Sequence, residues 1–260
     1  MILSAWLGVV LLAAVSGCQT DGDTSGTSGT ARAAATPALR VGVTPFSPPM
    51  VFRQGGELVG MDVDLARGLA ERLGRPLKFV EISWEDQMEA LINRRTDIIM
   101  SSVSITDARR VRVDFSDPYL TIGQMMLIRR EDAVKYTLGV PTQIKGAAGV
   151  IGGTTGATLV ERERPSWKRN TYSSGQQAAD ALINKRIELF VGDGPLVWYL
   201  AAVNEAKGLT VVRAMLTNEQ LGWAVRKGDT ELLNAANEYL RTIVADGNYQ
   251  TIHQRWLPQN

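Results

Sequence analysis

Apolar and polar positions in this chain switch between two periods. From Leu39 the order Leu-Arg-Val-Gly-Val predicts a short strand ending at Val43. Leu65, Leu69 and Leu73 then recur every fourth residue with Ala66 and Ala70 beside them. That is the stripe of an amphipathic helix, and Gly74 is suited to end it. Leu77 to Ile82, bounded by Pro76 and Ser83, predicts a second strand. Trp84 to Asn93 comes next as a helix and Asp97 to Met100 as a third strand. Strand, helix, strand, helix, strand implies a parallel sheet with right-handed crossovers.

The phrase ALINRRTDIIM, from Ala90 to Met100, returns as ALINKRIELFV from Ala181 to Val191, 91 residues on. Such a helix–strand phrase can recur by chance. Here, however, the flanking order recurs too. Past Ile144 come a strand (Ala148 to Ile151), a Gly-rich turn opening a helix (GGTTGATLVERER) and a second helix (SGQQAADALINKR). A strand (IELFV), a helix (GPLVWYLAAVNEA) and a last strand (LTVVRA) complete the half. The expected fold class is therefore α/β with two lobes, each a mostly parallel sheet flanked by helices. The extended apolar segment Asp117 to Arg130 joins the halves, and Asn218 to Asp229 returns the chain. The final helix, DTELLNAANEYLRTIVADG, has the first lobe to pack on. The expected division is residues 39–122 with 224–260 as one lobe and 123–223 as the other. Two extended crossings make a hinge, expected near Ile122 to Met126 and Leu221 to Ala224.

Composition narrows this less than the pattern does. The 260 residues are 45% apolar and 21% charged, an ordinary globular balance. The net charge of +1 gives no general field for nucleic acid, so a small-molecule partner and a monomer are expected. The first 18 residues, MILSAWLGVVLLAAVSGC, carry no charge. Their apolar run of about a dozen residues is too short for a comfortable membrane span. It reads as a signal-peptide core, although no Lys or Arg precedes it; the alternative is a buried N-terminal helix. Its ending, Val15-Ser16-Gly17-Cys18, resembles the bacterial lipobox, which implies a lipidated Cys18 anchoring the chain to a membrane. Cys18 is the single cysteine, so no internal disulfide is possible. Residues 19–38 are rich in Gly, Ser, Thr and Ala and are expected to form a flexible tether.

In open α/β sheets, ligands bind beyond the carboxyl ends of the strands. The first repeat delivers Ser101, Ser102, Ser104 and Arg109 there. Hydroxyls and a guanidinium fork suit a carboxylate. The same residues also read as a helix cap (SITDAR) followed by a surface arginine. In the second half, Gly153, Thr154 and Thr155 open a helix whose free N–H groups suit an anion, or they simply start a helix. Asp193 ends the second repeat between two glycines, as a site carboxylate or as an ordinary turn aspartate. Taken together, an arginine with hydroxyls on one half and a helix start with an acid on the other match a zwitterion. No cysteine–histidine cluster for a metal and no Ser/His/Asp order stands out, so neither cofactor nor catalysis is expected. His253, on a C-terminal amphipathic stretch, reads as surface or packing, and Asp62 and Asp64 as caps of the helix they open.

From Leu39 to Leu257 the chain resembles the bacterial extracellular solute-binding proteins of family 3, the amino-acid receptors of ABC importers. The resemblance is carried by GMDVDLARGLAERLG, by SWEDQMEALINRRTDIIMSSVSITDARRVRVDFSDPY, by GGTTGATL, by Gly192-Asp193 and by GWAVRKGD. It implies a two-lobed fold that closes on an amino acid and delivers it to a membrane permease. It further implies that Arg109 holds the α-carboxylate with help from Ser102, Ser104 and Thr155. By the same likeness Asp193 would hold the α-ammonium, and Trp84 would stack on the ligand. Phe46 and Ser47 fall at the family's aromatic position before Pro-Pro, where Ser47, and Met50 after it, depart from the pattern. Relatives that take basic side chains carry an acid on the first-strand loop. This chain has Thr44-Pro45-Phe46 there, which implies a neutral or polar ligand. Two alternatives stay open: an enzyme like the cyclohexadienyl dehydratases of the same fold, or a receptor presenting its ligand to a sensor. Against the enzyme, GDGPLVWYL lacks the glutamate that those dehydratases carry shortly after the aspartate.

Mass spectrometry of the protein taken from its own membranes should show Cys18 as the mature, acylated N-terminus. An unmodified Cys18, or processing elsewhere, would overturn that expectation.

Overall fold

The computed structural model describes residues 36–257. The signal segment, Cys18 and the tether as far as residue 35 lie outside the described residues, as do the last three positions. Leu39–Val43 pairs in parallel with Leu77–Glu81 on one side and with Ile98–Ile99 on the other. Ala224–Arg226 then runs antiparallel to Ile98–Ile99, and Val113–Phe115 closes the five-stranded sheet. A second five-stranded sheet repeats the plan. Ala147–Ile151 lies between Lys168–Tyr172 and Leu189–Asp193, all parallel. Gln124–Arg129 is antiparallel to Leu189–Asp193, with Leu209–Val212 outermost. Among its three mutually parallel strands, each sheet therefore places the first beside the third, at the point where the strand order reverses. Each sheet is covered on both faces by apolar clusters, as near-continuous hydrophobic parallel strands require.

The repeated phrase folds twice into one turn. Helices Gln87–Ile92 and Gly175–Ile183 end at Asn93 and Asn184. The next residues, Arg94 and Lys185, are left-handed, with φ of 58° and 57°. In each copy the following amide returns to an alanine carbonyl, Arg95 N to Ala90 O and Arg186 N to Ala181 O, both at 2.8 Å. Those bonds close the helix end and aim the chain into its strand.

Three expectations shift in detail. The helix foreseen from Trp84 begins only at Gln87, because Ser83 Oγ bonds to Asp86 Oδ2 at 2.6 Å and holds Trp84 to Asp86 in a turn. The strand foreseen from Asp97 is confined to Ile98–Ile99. Nor do Asp62 and Asp64 cap their helix. Met61–Arg72 starts from Gly60, at φ 133°, where a Cβ would lie 2.1 Å from the Met50 carbonyl oxygen, and no side chain caps it. Asp62 is instead fully buried and accepts the Ser102 amide at 2.7 Å. Asp64 accepts from Arg67, Arg255 and the Trp256 indole.

The two crossings meet in a ribbon of their own. Leu120–Ile122 pairs antiparallel with Glu219–Leu221, between the sheets in the chain order. Gly123 comes next, where a Cβ would come within 2.4 Å of the Thr217 carbonyl oxygen, so the crossings approach as closely as glycine allows. The helix Thr230–Ala245 packs on the first lobe, where Trp223, fully buried, lies between Tyr119 and Tyr239 at ring separations of 5.6 and 6.1 Å. His253 packs against Tyr249 in the last helix, Asn248–Trp256. Across the cleft, Phe52 of the hairpin Val51–Val59 meets Tyr199 of the helix Gly194–Val203 at 5.7 Å and rests edge-on against Trp256.

Candidate functional site

The carboxyl ends of both sheets open into one cavity of about 620 Å³, part of it continuous with solvent. On the first lobe, Thr44 comes directly after strand one and Ser101 just after strand three. Thr44 N donates to Ser101 Oγ at 2.9 Å, which ties the two strand ends together where their order reverses. Ser102 sits at φ 57°, a cost that its amide bond to buried Asp62 offsets. Its hydroxyl lines the cavity, buried and without a partner, and is free to donate. Ser104 is committed differently. Its Oγ donates to Glu219 Oε2 at 2.7 Å, so the hydroxyl proton is spoken for.

The cap reading of the SITDAR segment holds, but the arginine that follows is not a surface charge. Thr106 caps the short helix Asp107–Arg110 by accepting the Arg109 amide at 3.3 Å. The Arg109 side chain nevertheless turns into the cavity. Its guanidinium donates to Ser104 O at 2.8 Å, reaches the second lobe at Gly153 O at 3.3 Å, and lies 5.3 Å above the Trp84 ring.

On the second lobe Thr154 caps the helix Thr155–Glu163, accepting Ala157 N at 3.2 Å. Thr155 Oγ1 and Asp193 Oδ1 are both held by Gln124 Nε2, at 3.0 and 2.7 Å. Asp193 precedes the helix Gly194–Val203 without capping it, so its carboxylate is not that of an ordinary turn. Ile151, Val191 and Leu196 supply an apolar wall, and Ser173 a further hydroxyl. Ten of the eleven residues singled out from the sequence line this cavity. Gly153 does not; it stands beside it, behind Trp84. Phe46 sits at the rim, with 59% of its surface exposed.

Burial shapes the charges. Loss of water pushes the Asp193 carboxyl up to about 6; the Gln124 amide opposes this, Glu219 adds to it and Arg109 offsets it. Burial also lowers Arg109, against the attraction of Asp193 and Glu219, though the guanidinium stays charged. Asp62 is pushed up to about 6 by burial, with the nearby Tyr119 hydroxyl and the Ser102 amide opposing.

Of three residues behind the cavity, Gln124 and Glu219 went unread in the sequence and Asp62 was read only as a helix cap. Asp62 had a signal: it falls on the same helix face as Leu65, Ala66 and Leu69, where a carboxylate needs a partner. Gln124 stands out weakly, as the one amide in the apolar run GQMMLI. Glu219 has no local signature.

Known structures share this fold. An ancestral amino-acid-binding protein, described as a precursor of cyclohexadienyl dehydratase, is 34% identical with a TM-score of 0.78, over 85% of this chain and 95% of that one. Two like-wound lobes enclosing a polar cavity at their strand ends define a two-lobed periplasmic binding protein of the type II class. The chain belongs to the bacterial extracellular solute-binding proteins, family 3, whose model matches residues 39–259. The ABC transporter arginine-binding protein 1 of Escherichia coli is 30% identical over 87% of this chain and 93% of its own length. A probable histidine-binding protein of Neisseria gonorrhoeae is 30% identical over 82% and 80%.

The Asp193 shift sets a pH signature. Its carboxyl is at about 6 in the folded protein against 3.8 as an ordinary side chain. Below 3.8 both states are protonated and nothing is lost; as pH rises the folded state is increasingly penalised, fully so above 6. Asp193→Asn should therefore be about 1–3 kcal/mol more stable than the parent at neutral pH. Urea denaturation should show this gain closing as pH falls from about 6 to about 4. A variant less stable than the parent at neutral pH would contradict the assignment.

Proposed function

We propose that this protein captures a free amino acid with a neutral, polar or modestly apolar side chain and delivers it to the permease of an ABC importer. The observation that carries this reading is the pairing of Arg109 and Asp193 from opposite lobes in one cavity. Arg109, the Ser102 hydroxyl and the start of the helix Thr155–Glu163 suit the α-carboxylate, and Asp193 suits the α-ammonium. Among the residues lining the cavity Asp193 is the sole carboxylate, so a cationic side chain finds no second acid. Trp84 and Leu196 favour an uncharged one. The enzymatic alternative needs a further proton-transfer group beside the ligand, and the lining offers none besides Asp193. Lipidation at Cys18 would keep the receptor at the membrane beside its importer.

A thermal-shift panel of the L-amino acids should pick out neutral ligands and leave lysine and arginine weak. A ligand at about a hundred times its Kd adds roughly 2.7 kcal/mol of stability. Calorimetry should then show Arg109→Ala and Asp193→Ala each costing about 2–5 kcal/mol, roughly 30-fold to several-thousand-fold in Kd. Arginine as the tightest ligand would sink the neutral-side-chain reading, and unchanged affinity in either variant would sink the site.

We also infer that residues 39–122 with 224–260 close on 123–223 about the crossing ribbon, which supplies the only two strand passages between the sheets among the described residues. Small-angle scattering should give a smaller radius of gyration with the ligand from the panel than without it. An unchanged profile would mean a rigid cleft.

A further inference from the structure

The two ends of the cavity are joined through the ribbon by a continuous path of hydrogen bonds. It starts at Asp193, whose Oδ1 accepts from Gln124 Nε2 at 2.7 Å. Gln124 is fully buried and begins the strand just past Gly123, on the outgoing crossing. Its backbone amide donates to Thr217 Oγ1 at 2.9 Å, on the returning crossing. Thr217 Oγ1 donates in turn to Glu219 Oε1 at 2.8 Å. The second carboxylate oxygen, Oε2, accepts the Ser104 hydroxyl at 2.7 Å.

The backbone takes the same route. Ser104 bridges to Leu221, Ile105 N donates to Gln220 O at 2.8 Å, and Gly222 N donates to Val103 O at 3.1 Å. The loop that carries Ser102 and Ser104 is thus strand-paired to the returning crossing.

The donor directions along this path are fixed. Gln124 offers Asp193 only hydrogens from its Nε2. Thr217 accepts from an amide, so its own proton goes forward to Glu219. Glu219 receives two hydroxyl protons, one on each carboxylate oxygen. Each member therefore constrains the next, and neither lobe can shift its strand ends without disturbing the crossing.

We propose that Gln124, Thr217 and Glu219 are positioning residues: a relay through both crossings that holds Asp193 on one lobe in register with the Ser102–Ser104 loop on the other. None of the three lines the cavity, so each acts through the residues that do. The relay also sets the polarity of the loop. With its proton given to Glu219, Ser104 meets a ligand as an acceptor, and the Ser102 hydroxyl is the donor on that loop. This inference takes from the functional reading only that Ser104 and Asp193 share one cavity, so its test uses the ligand-free protein and can fail independently.

The test is hydrogen exchange, read by mass spectrometry, on the mature ligand-free protein carrying Thr217→Val. That change keeps the shape but removes both the acceptor for Gln124 N and the donor to Glu219. Peptides covering Ser101 to Ile105 and Leu189 to Asp193 should both exchange roughly twofold to tenfold faster, while Leu39 to Val43 stays unchanged. Thr217→Ser, which restores the hydroxyl, should return both segments to parental rates. Should Thr217→Val fail to fold, Glu219→Gln offers a single acceptor to two hydroxyls and should speed the same two segments by a smaller factor. Faster exchange confined to residues 215–222, or reaching one segment without the other, would overturn the relay.

Discussion

A carboxylate and a guanidinium removed from bulk water each cost several kcal/mol unless fixed dipoles replace the lost hydration. Asp193 and Arg109 impose that cost on the cleft, and much of the surrounding architecture answers it. Gln124 spends its amide hydrogens on Asp193 and Thr155. Arg109 is given two carbonyl oxygens, Ser104 and Gly153, and the face of Trp84. Holding Ser104 O where Arg109 can use it depends on a loop that passes through a left-handed Ser102, and that loop is pinned by a carboxylate buried in the helix beneath it.

The legibility of each element in the sequence depends on the range over which its constraint acts. Strands and helices came from periodicity, and the plan of two lobes from a phrase repeated 91 residues apart, because both are local or self-similar signals. The site residues on strand ends were legible for the same reason: in a parallel sheet the carboxyl ends gather at one edge. Asp62 reads as a cap because acids in a first helical turn usually serve the helix, whereas its stripe position makes it a core residue. The partners Gln124 and Glu219 depend on where two distant segments cross. No window of sequence contains that information.

The duplicated halves show how one scaffold can carry opposite chemistry. Arg94 and Lys185 adopt the same left-handed turn, and each delivers its strand beside the first of the three parallel strands of its own sheet. Residues beyond the strand are free to differ, since the turn and the strand pairing already satisfy the backbone. In the first lobe the strand ends in hydroxyls and leads to Arg109; in the second it ends in Asp193. Each charge has fixed partners before a ligand spans them: Gln124 for Asp193, and for Arg109 both Ser104 O on its own lobe and Gly153 O on the other.

The meeting of Phe52 and Tyr199 bears on how long a ligand stays, and so on affinity, rather than on which ligand is recognised. Neither ring lines the cavity, so their contact is indifferent to which molecule lies inside. On the closure proposed above, this contact between facing lobes breaks when the cleft opens, which raises the barrier to escape while leaving the rate of encounter to diffusion. Its weight falls on how long a captured molecule is retained. For a carrier that has to survive the walk to a partner and then let go, retention is a quantity that selection can adjust at the mouth without altering the pocket.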